Sequence, residues 1–396
     1  MKNTFQDFCD FVYSLYPNQI SVPLHTPVFL GKEKEYINDC IDTTFVSYVG
    51  KYVTKFEEIT AHYTGAKYAV AVVNGTAALQ IALQLAGVER DNEVITQPLT
   101  FVATVNAIAH CGAKPVFIDV DFDTMGMSPE KLEHWLKENA IVKNPTLKDQ
   151  KNFSSDLPIC INKNTRNKIS AIVPMHTFGH PCRIDKIIEI AGKFYIPVVE
   201  DSAESLGSFY KGKHTGTFGL AGILSYNGNK TITTGGGGII LTNDEKFAEK
   251  AKHITTTGKV PHKWEYIHDT IAYNYRLTNI NAAIGVAQME YLDKILLNKR
   301  ETSKLYNHFF EKTKIKFIIE PKSAKSNYWL NSVLMKNRKE RDEFLDLTIK
   351  NKIMTRPIWR LMNKLEMFKY CQTGNIENSI KLEDRIVNLP SGFRVN

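Results

Sequence analysis

From residue 67 onward, short apolar runs alternate with longer amphipathic ones: KYAVAVV, TAALQIALQLAGV, NEVITQP, FVATVNAIAHCG and KPVFIDV follow one another. Apolar runs this short, bounded by Gly, Pro or Asn, do not build a helical bundle. The rhythm predicts strands alternating with helices in a largely parallel sheet, an α/β fold. Further strands are expected at KISAIVPMH (168–176), IPVVED (196–201), GILSYN (222–227) and GGIILTN (237–243). After about residue 270 the texture changes to the helix-like LTNINAAIGVAQMEYLDKILLNKRETSKLYNHFFEKT. That change predicts a large domain over 1–270 and a smaller C-terminal α+β domain over 271–396. The polar segment KNPTLKDQKNFSSDLPICINKNTRN, with its two prolines, reads as a surface excursion.

Composition narrows the function. The chain has 396 residues, 43% hydrophobic and 23% charged, close to an ordinary globular protein. Its net charge of +8 comes from 50 Lys and Arg interleaved with 42 Asp and Glu. Without a nucleic-acid motif this balance argues against a nucleic-acid partner and suits attraction of an anionic small substrate. The six cysteines lack any C-x-x-C pairing, which points to a reducing cytoplasm and away from zinc or a disulfide scaffold. No apolar run reaches the length of about 18 residues that a membrane span needs. A cytoplasmic protein without membrane association is expected.

Three local patterns carry chemistry. The strand IPVVED delivers Asp201 to the carboxyl end of a parallel strand, where ligands of open α/β sheets gather; taken alone, Asp201 also reads as a helix N-cap before SAESLG. In VVNGTAALQIAL a strand gives way at once to a helix at Asn74-Gly75-Thr76, a start that suits a phosphate but is also an ordinary turn. Lys230 follows a buried-looking strand in LSYNGNKTITTGGGG, just before four glycines that permit close backbone approach. Most lysines are solvated surface charges, whereas one enclosed in a site loses its proton readily and bonds to a carbonyl carbon. Together a phosphate cup, a carboxylate and an amine are what pyridoxal 5'-phosphate demands. His176 and His180 in HTFGH lack a third ligand at zinc-like spacing, so no metal is expected. His262 and His268 read as solvated loop residues.

In order along the chain, NGTAAL, QPLTFVATVNAI, PVFIDVD, VPMHTFGHPCRID, EDSAESLGS, SYNGNKTITTGGGG and YNYRLTNINAAIGVAQME resemble the motifs of the DegT-type (DegT/DnrJ/StrS) nucleotide-sugar aminotransferases. The resemblance runs from about VPLHTPVFLG to NLPSGF. It implies the aspartate-aminotransferase fold, pyridoxal-phosphate fold type I. It further implies that Lys230 forms the Schiff base and carries the proton, and that Asp201 pairs with the pyridine nitrogen. By the same resemblance Gly75, Thr76 and Ser225 hold the phosphate, and Phe101 stacks on the ring. Asn274 then reaches the phosphate of a neighbouring subunit, so a homodimer with shared active sites is implied. Two departures stand out. Glu204 occupies a place where the family often has Gln or His, and an acid there repels the cofactor's phenolic oxygen unless a proton is shared. The tail reads GGGG where GEGG is usual.

The implied reaction has two stages: L-glutamate gives its amino group to the cofactor, and a nucleotide-linked keto sugar then takes it. LHTPVFLGKEKEYINDCIDTTFVSYVGKYV, TTTGKVPHKWEYIHD and TRPIWRLMNKLEMF resemble the legionaminic-acid-type 4-aminotransferases, which implies a 4-keto-6-deoxy-2-acetamido sugar. Other keto sugars are the alternative, a 3-keto sugar or GDP-4-keto-6-deoxymannose as in perosamine synthesis. His176, Arg356 and Trp359 are the candidate substrate contacts. A dehydratase that replaces the lysine by histidine is disfavoured by Lys230, and a non-catalytic regulator on this fold by the intact Lys230, Asp201 and Ser225 set.

Overall fold

The computed structural model describes residues 2–144 and 158–395. Seven strands form its centre: β1 (Tyr68–Val72), β2 (Glu93–Thr96), β3 (Lys114–Phe117), β4 (Ile169–Val173), β5 (Val199–Asp201), β6 (Ala221–Ser225) and β7 (Gly238–Thr242). Pairing within β3-β2-β4 and within β5-β6-β7-β1, joined by parallel bridges Ile172 to Val198 and Met175 to Asp201, gives the order β3-β2-β4-β5-β6-β7-β1. Neighbours run parallel except at β7, which is antiparallel to both β6 and β1.

Strand alternation sorts the side chains to two faces. Val70, Val72, Ile223 and Ile240 pack on the helices Gly75–Leu85, Val102–His110 and Glu245–Thr255. Ala71, Leu224, Ile239 and Leu241 face the other way, onto Tyr52, Phe56, Ala282 and Val286. The expected sheet covered by helices is therefore present, with its core split across two faces.

The antiparallel β7 has a local cause and a functional result. Gly238 pairs with both Val72 and Ser225, and a Cβ on it would lie 2.5 Å from the carbonyl carbon of Asn74. Only glycine lets the chain pass so close, and the passage draws the ends of β1 and β6 together. Asp201 ends β5 beside them.

Hydrophobic contacts do not divide near residue 270. The helix Asn279–Glu290 packs on the central sheet, while the first helix, Lys2–Leu15, places Phe5, Phe8 and Val12 against Tyr306, Phe310 and Phe344. The long helix Leu292–Glu311 begins in one core and ends in the other. We propose a large unit that includes Asn279–Glu290 and a small unit that recruits the N-terminal helix around a second sheet. The change of texture at 270 marks a change of element type, not of core. Ile159–Asn162, inside the expected excursion, pairs antiparallel with Ala140–Lys143 at its start, and residues 145–157 lie outside the described residues. The stretch around His262 and His268 is exposed, as expected of solvated residues, but carries a short hairpin, Lys259–Val260 with Ile267–His268.

Candidate active site

The carboxyl ends of β1, β5 and β6 open into a cavity of about 340 Å³, lined among others by Asn74, Gly75, Thr76, Phe101, Thr104, Asp201, Glu204, Ser225, Lys230, Trp329 and Trp359. Asn74 is extended, and its Oδ1 accepts from the Ala77 N–H at 2.8 Å, capping the helix that starts at Gly75. The first turn of that helix has N–H groups without intrahelical partners and the positive end of the helix dipole. A Cβ on Gly75 would sit 3.0 Å from Ser225 Cβ and 3.3 Å from its Oγ. The glycine thus keeps open a cradle between helix start and Ser225 that any side chain would fill.

Lys230 enters from the loop after β6. Its side chain is only 12% exposed, with Nζ 3.2 Å from Glu204 Oε1 and 4.1 Å from the centre of the Trp329 ring. The Trp329 indole is itself fixed by donating Nε1–H to the Asn229 carbonyl at 2.6 Å. Across the cavity Asp201 is buried, accepting from Thr104 Oγ1 at 2.6 Å and from the Ala203 N–H at 3.1 Å. No helix follows Asp201; the carboxylate closes a turn with Ala203, so the N-cap reading fails. Glu204 is fully buried, and its Oε2 accepts from the Phe178 N–H at 2.9 Å. Burial pushes its carboxyl up to about 7, against the downward pull of Lys230.

This cavity brings the open start of a helix together with one largely enclosed amine and two buried carboxyl groups. The comparisons with known proteins agree: residues 30–396 match the family described as DegT/DnrJ/EryC1/StrS aminotransferase. The chain belongs to that family. It is therefore a pyridoxal-phosphate-dependent aminotransferase with the aspartate-aminotransferase type of fold. It is 38% identical over 372 residues, 93% of each chain, to the GDP-perosamine synthase of Escherichia coli O157:H7. To the GDP-perosamine synthase of Vibrio cholerae it is 34% identical, over 93% of this chain and 94% of that one. Among solved structures, a DegT DnrJ EryC1 StrS aminotransferase from Brucella abortus matches at TM-score 0.79 and 25% identity, covering 91% of this chain and 90% of that one.

The residues present in this aminotransferase fit the cofactor: an open cradle at a helix start, an amine in the cavity, and a buried carboxylate facing it. Lys230, Asp201, Glu204, Gly75, Thr76, Ser225 and Phe101 all line one cavity. Trp359 lines it too, 6.1 Å from the Phe101 ring and 4.9 Å from Phe178. The other candidates lie elsewhere. His176 is fully buried, its Nε2 3.1 Å from Glu200 Oε2 and its Nδ1 accepting from the Cys182 N–H. It is a core histidine rather than a substrate contact. Arg356 is exposed and donates to the Thr355 carbonyl, away from the lining. Asn274 is also exposed, holds Arg276 Nε at 2.8 Å, and does not line this chain's own cavity. Among the described residues no group of three or more His, Cys, Asp or Glu is placed to hold a metal, and no helix is long and apolar enough to cross a membrane.

Of the lining residues that escaped the sequence reading, two touch the candidate acid or amine: Thr104 and Trp329. Thr104 stands one helical turn after Phe101, a spacing that a periodicity argument could have used. Trp329 comes from the distant C-terminal part, where nothing local marks it.

Behind Trp329 lies a buried amine of another kind. Lys299 is 1% exposed and gives its three N–H groups to His25 Nε2 at 2.8 Å, the Ser391 carbonyl at 2.8 Å and the Trp329 carbonyl at 3.2 Å. Burial lowers it to about 7, with no carboxylate bonded to it. Between about pH 7 and 10.5 the unfolded chain keeps this proton and the folded chain sheds it, so raising pH through that window favours folding. Relative to Lys299→Met, the wild type gains about 2 kcal/mol between pH 7 and 9. Denaturant unfolding of both proteins at the two pH values measures it, and parallel pH dependences would contradict it.

Proposed function

We propose that this aminotransferase moves the amino group of L-glutamate to C4 of a nucleotide-linked 4-keto-6-deoxy sugar, with GDP-4-keto-6-deoxymannose the first sugar to test. The observation that carries the reading is Lys230 Nζ held inside the cavity between Glu204 and Trp329, with Asp201 in the same lining. The two curated relatives above support the sugar class, and both bear the perosamine name. Neither concerns legionaminic acid, so the GDP-linked sugar takes precedence over the 2-acetamido sugar implied by the sequence resemblance.

Bound pyridoxal phosphate supplies an electron-accepting ring and an aldehyde that takes up the amino group. The chain's own residues do the rest. The Lys230 amine removes a proton from one carbon and returns it to another in each half of the reaction. Asp201 holds a proton on the pyridine nitrogen by its negative charge. The helix start at Gly75 and Thr76, with Ser225, receives the phosphate. Phe101 and Trp359 offer apolar faces that exclude water from the reacting end. The assembly we propose is a homodimer in which Asn274 serves the neighbouring subunit. Phe45 (56% exposed), Trp264 (69%) and Ile271 (96%) supply apolar surface for such a partner.

The test is visible absorbance of the cofactor-loaded protein. Glutamate should bleach the band, and GDP-4-keto-6-deoxymannose should restore it. Restoration by a UDP-linked 2-acetamido sugar instead would return the legionaminic-type reading. A protein that does not take up pyridoxal phosphate would overturn the role of Lys230.

A further inference from the structure

Glu204 is a carboxyl group in a place where burial penalises its charge, and its two oxygens are differently engaged. Oε2 is fixed by the Phe178 N–H, presented from a turn in which Phe178 itself takes the left-handed conformation, φ 56° and ψ 17°. A bulky residue pays for that backbone only where the surroundings over-determine it, and such strain collects at functional sites. Gly179 follows at φ 90°, where a Cβ would meet Asn327 Oδ1 at 1.8 Å. Asn327 in turn donates to the Glu204 carbonyl at 2.9 Å. Strained turn and asparagine together hold Glu204 from both ends, which leaves Oε1 aimed at Lys230 Nζ.

The charged groups around this oxygen are few. Lys230 favours its ionised form, and Asp201 disfavours it. Burial above all keeps the His25 ring neutral, with Lys299 and Lys230, when charged, acting in the same direction. Lys230 is thus the cation bonded to the buried carboxylate, and the same amine must leave that partnership to do its chemistry.

We infer that Glu204 is a proton-holding partner of Lys230: it takes up a proton from solvent when the cofactor engages the lysine amine, and releases it when the amine is set free. This rests on the proposed role of Lys230. When Nζ bonds to the aldehyde carbon of pyridoxal phosphate, two of the three ammonium hydrogens leave with the aldehyde oxygen as water. The N–H that held Glu204 Oε1 is then lost or redirected. Burial and the nearby Asp201 remain, and both favour the neutral acid. A proton from solvent bonds to the carboxylate oxygen, which becomes a donor inside the cavity. The acid at this position then no longer repels an anionic oxygen on the cofactor, and the departure from the Gln or His of the family is accommodated.

The experiment is calorimetric loading of cofactor-stripped, full-length protein with pyridoxal phosphate, in buffers of different ionisation enthalpy, so that protons exchanged are counted directly. At pH 8 the wild type should take up about one proton per site more than Glu204→Gln, and the difference should vanish at pH 5, where Glu204 is already protonated. Infrared difference spectra on loading need no variant: a protonated-carboxyl carbonyl band should appear in the wild type at pH 8. Equal proton counts at pH 8, or the absence of that band, would overturn the inference. If loading proceeds and glutamate bleaches the visible band while the counts are equal, the proton role fails alone. If the wild type does not load, the functional reading fails and takes this inference with it.

Discussion

Lys230→Ala will lose both halves of the reaction, by at least about 10⁴-fold in turnover, while still binding the cofactor. Among the described lining residues Lys230 is the only amine, and the other titratable groups there are the carboxyl groups of Asp201 and Glu204. On the role proposed for Lys230, neither carboxyl group can replace a base that must act at two carbons. The cradle at Gly75, Thr76 and Ser225 does not depend on the lysine, so the variant should bind pyridoxal phosphate without the absorbance of the wild type. Removal also breaks the pair with Glu204, whose 3.2 Å partner disappears while its burial stays. The variant therefore folds with a neutral Glu204, and a stable protein devoid of activity is expected. Lys230→Arg sharpens the point: it retains a cation beside Glu204 but not an amine that gives up its proton, and it should be equally inactive. Single-turnover absorbance with glutamate, and separately with the keto sugar, measures the two halves. Turnover near the wild-type rate in either variant would remove Lys230 from the mechanism.

Much of this cavity is legible in the sequence, for a physical reason. Helix start, acid and amine each sit where a strand gives way to a turn or a helix, and such junctions are visible as apolar runs ending in Asn-Gly-Thr, in Asp, or in Ser-Tyr-Asn-Gly-Asn-Lys. The parallel sheet then brings strand ends together whatever their separation along the chain. Trp329 is illegible because it arrives from outside the sheet, and its place over Lys230 is set by tertiary packing alone. His176 misleads for the opposite reason. It does stand just past β4, but its ring turns inward to Glu200, the residue before Asp201, and so it braces the sheet below the cavity. The antiparallel course of β7 is equally hidden, since an apolar run says nothing of its direction. What betrays it is Gly238, whose missing side chain is needed only if the strand passes against Asn74.

Asp201→Asn will lower turnover by about 10³-fold with little change in stability. The substitution keeps shape and removes charge, so it isolates electrostatics from packing. Asp201 Oδ1 accepts from the Ala203 N–H, a bond that the amide oxygen of asparagine can keep. The amide nitrogen then faces Thr104 Oγ1, which now donates to Oδ2. That hydroxyl can turn, because Thr100 Oγ1 lies 2.8 Å from it as an alternative acceptor, and its oxygen is then free to accept from the amide. The amide oxygen and one amide N–H thus keep partners, and the thermal midpoint should move by only a few degrees, as for a change of about 1 kcal/mol. On the role proposed for Asp201, what is lost is the negative charge that would hold a proton on the pyridine nitrogen, and with it the ring's capacity to accept electrons from the substrate carbon. Both halves of the reaction need that capacity, so both should slow together and the ratio between glutamate and sugar rates should stay near that of the wild type. Thermal unfolding and separate half-reaction rates read the two sides of the claim. A variant that melts early, or that slows only one half, would make Asp201 a structural or substrate-specific residue instead of the partner of the ring.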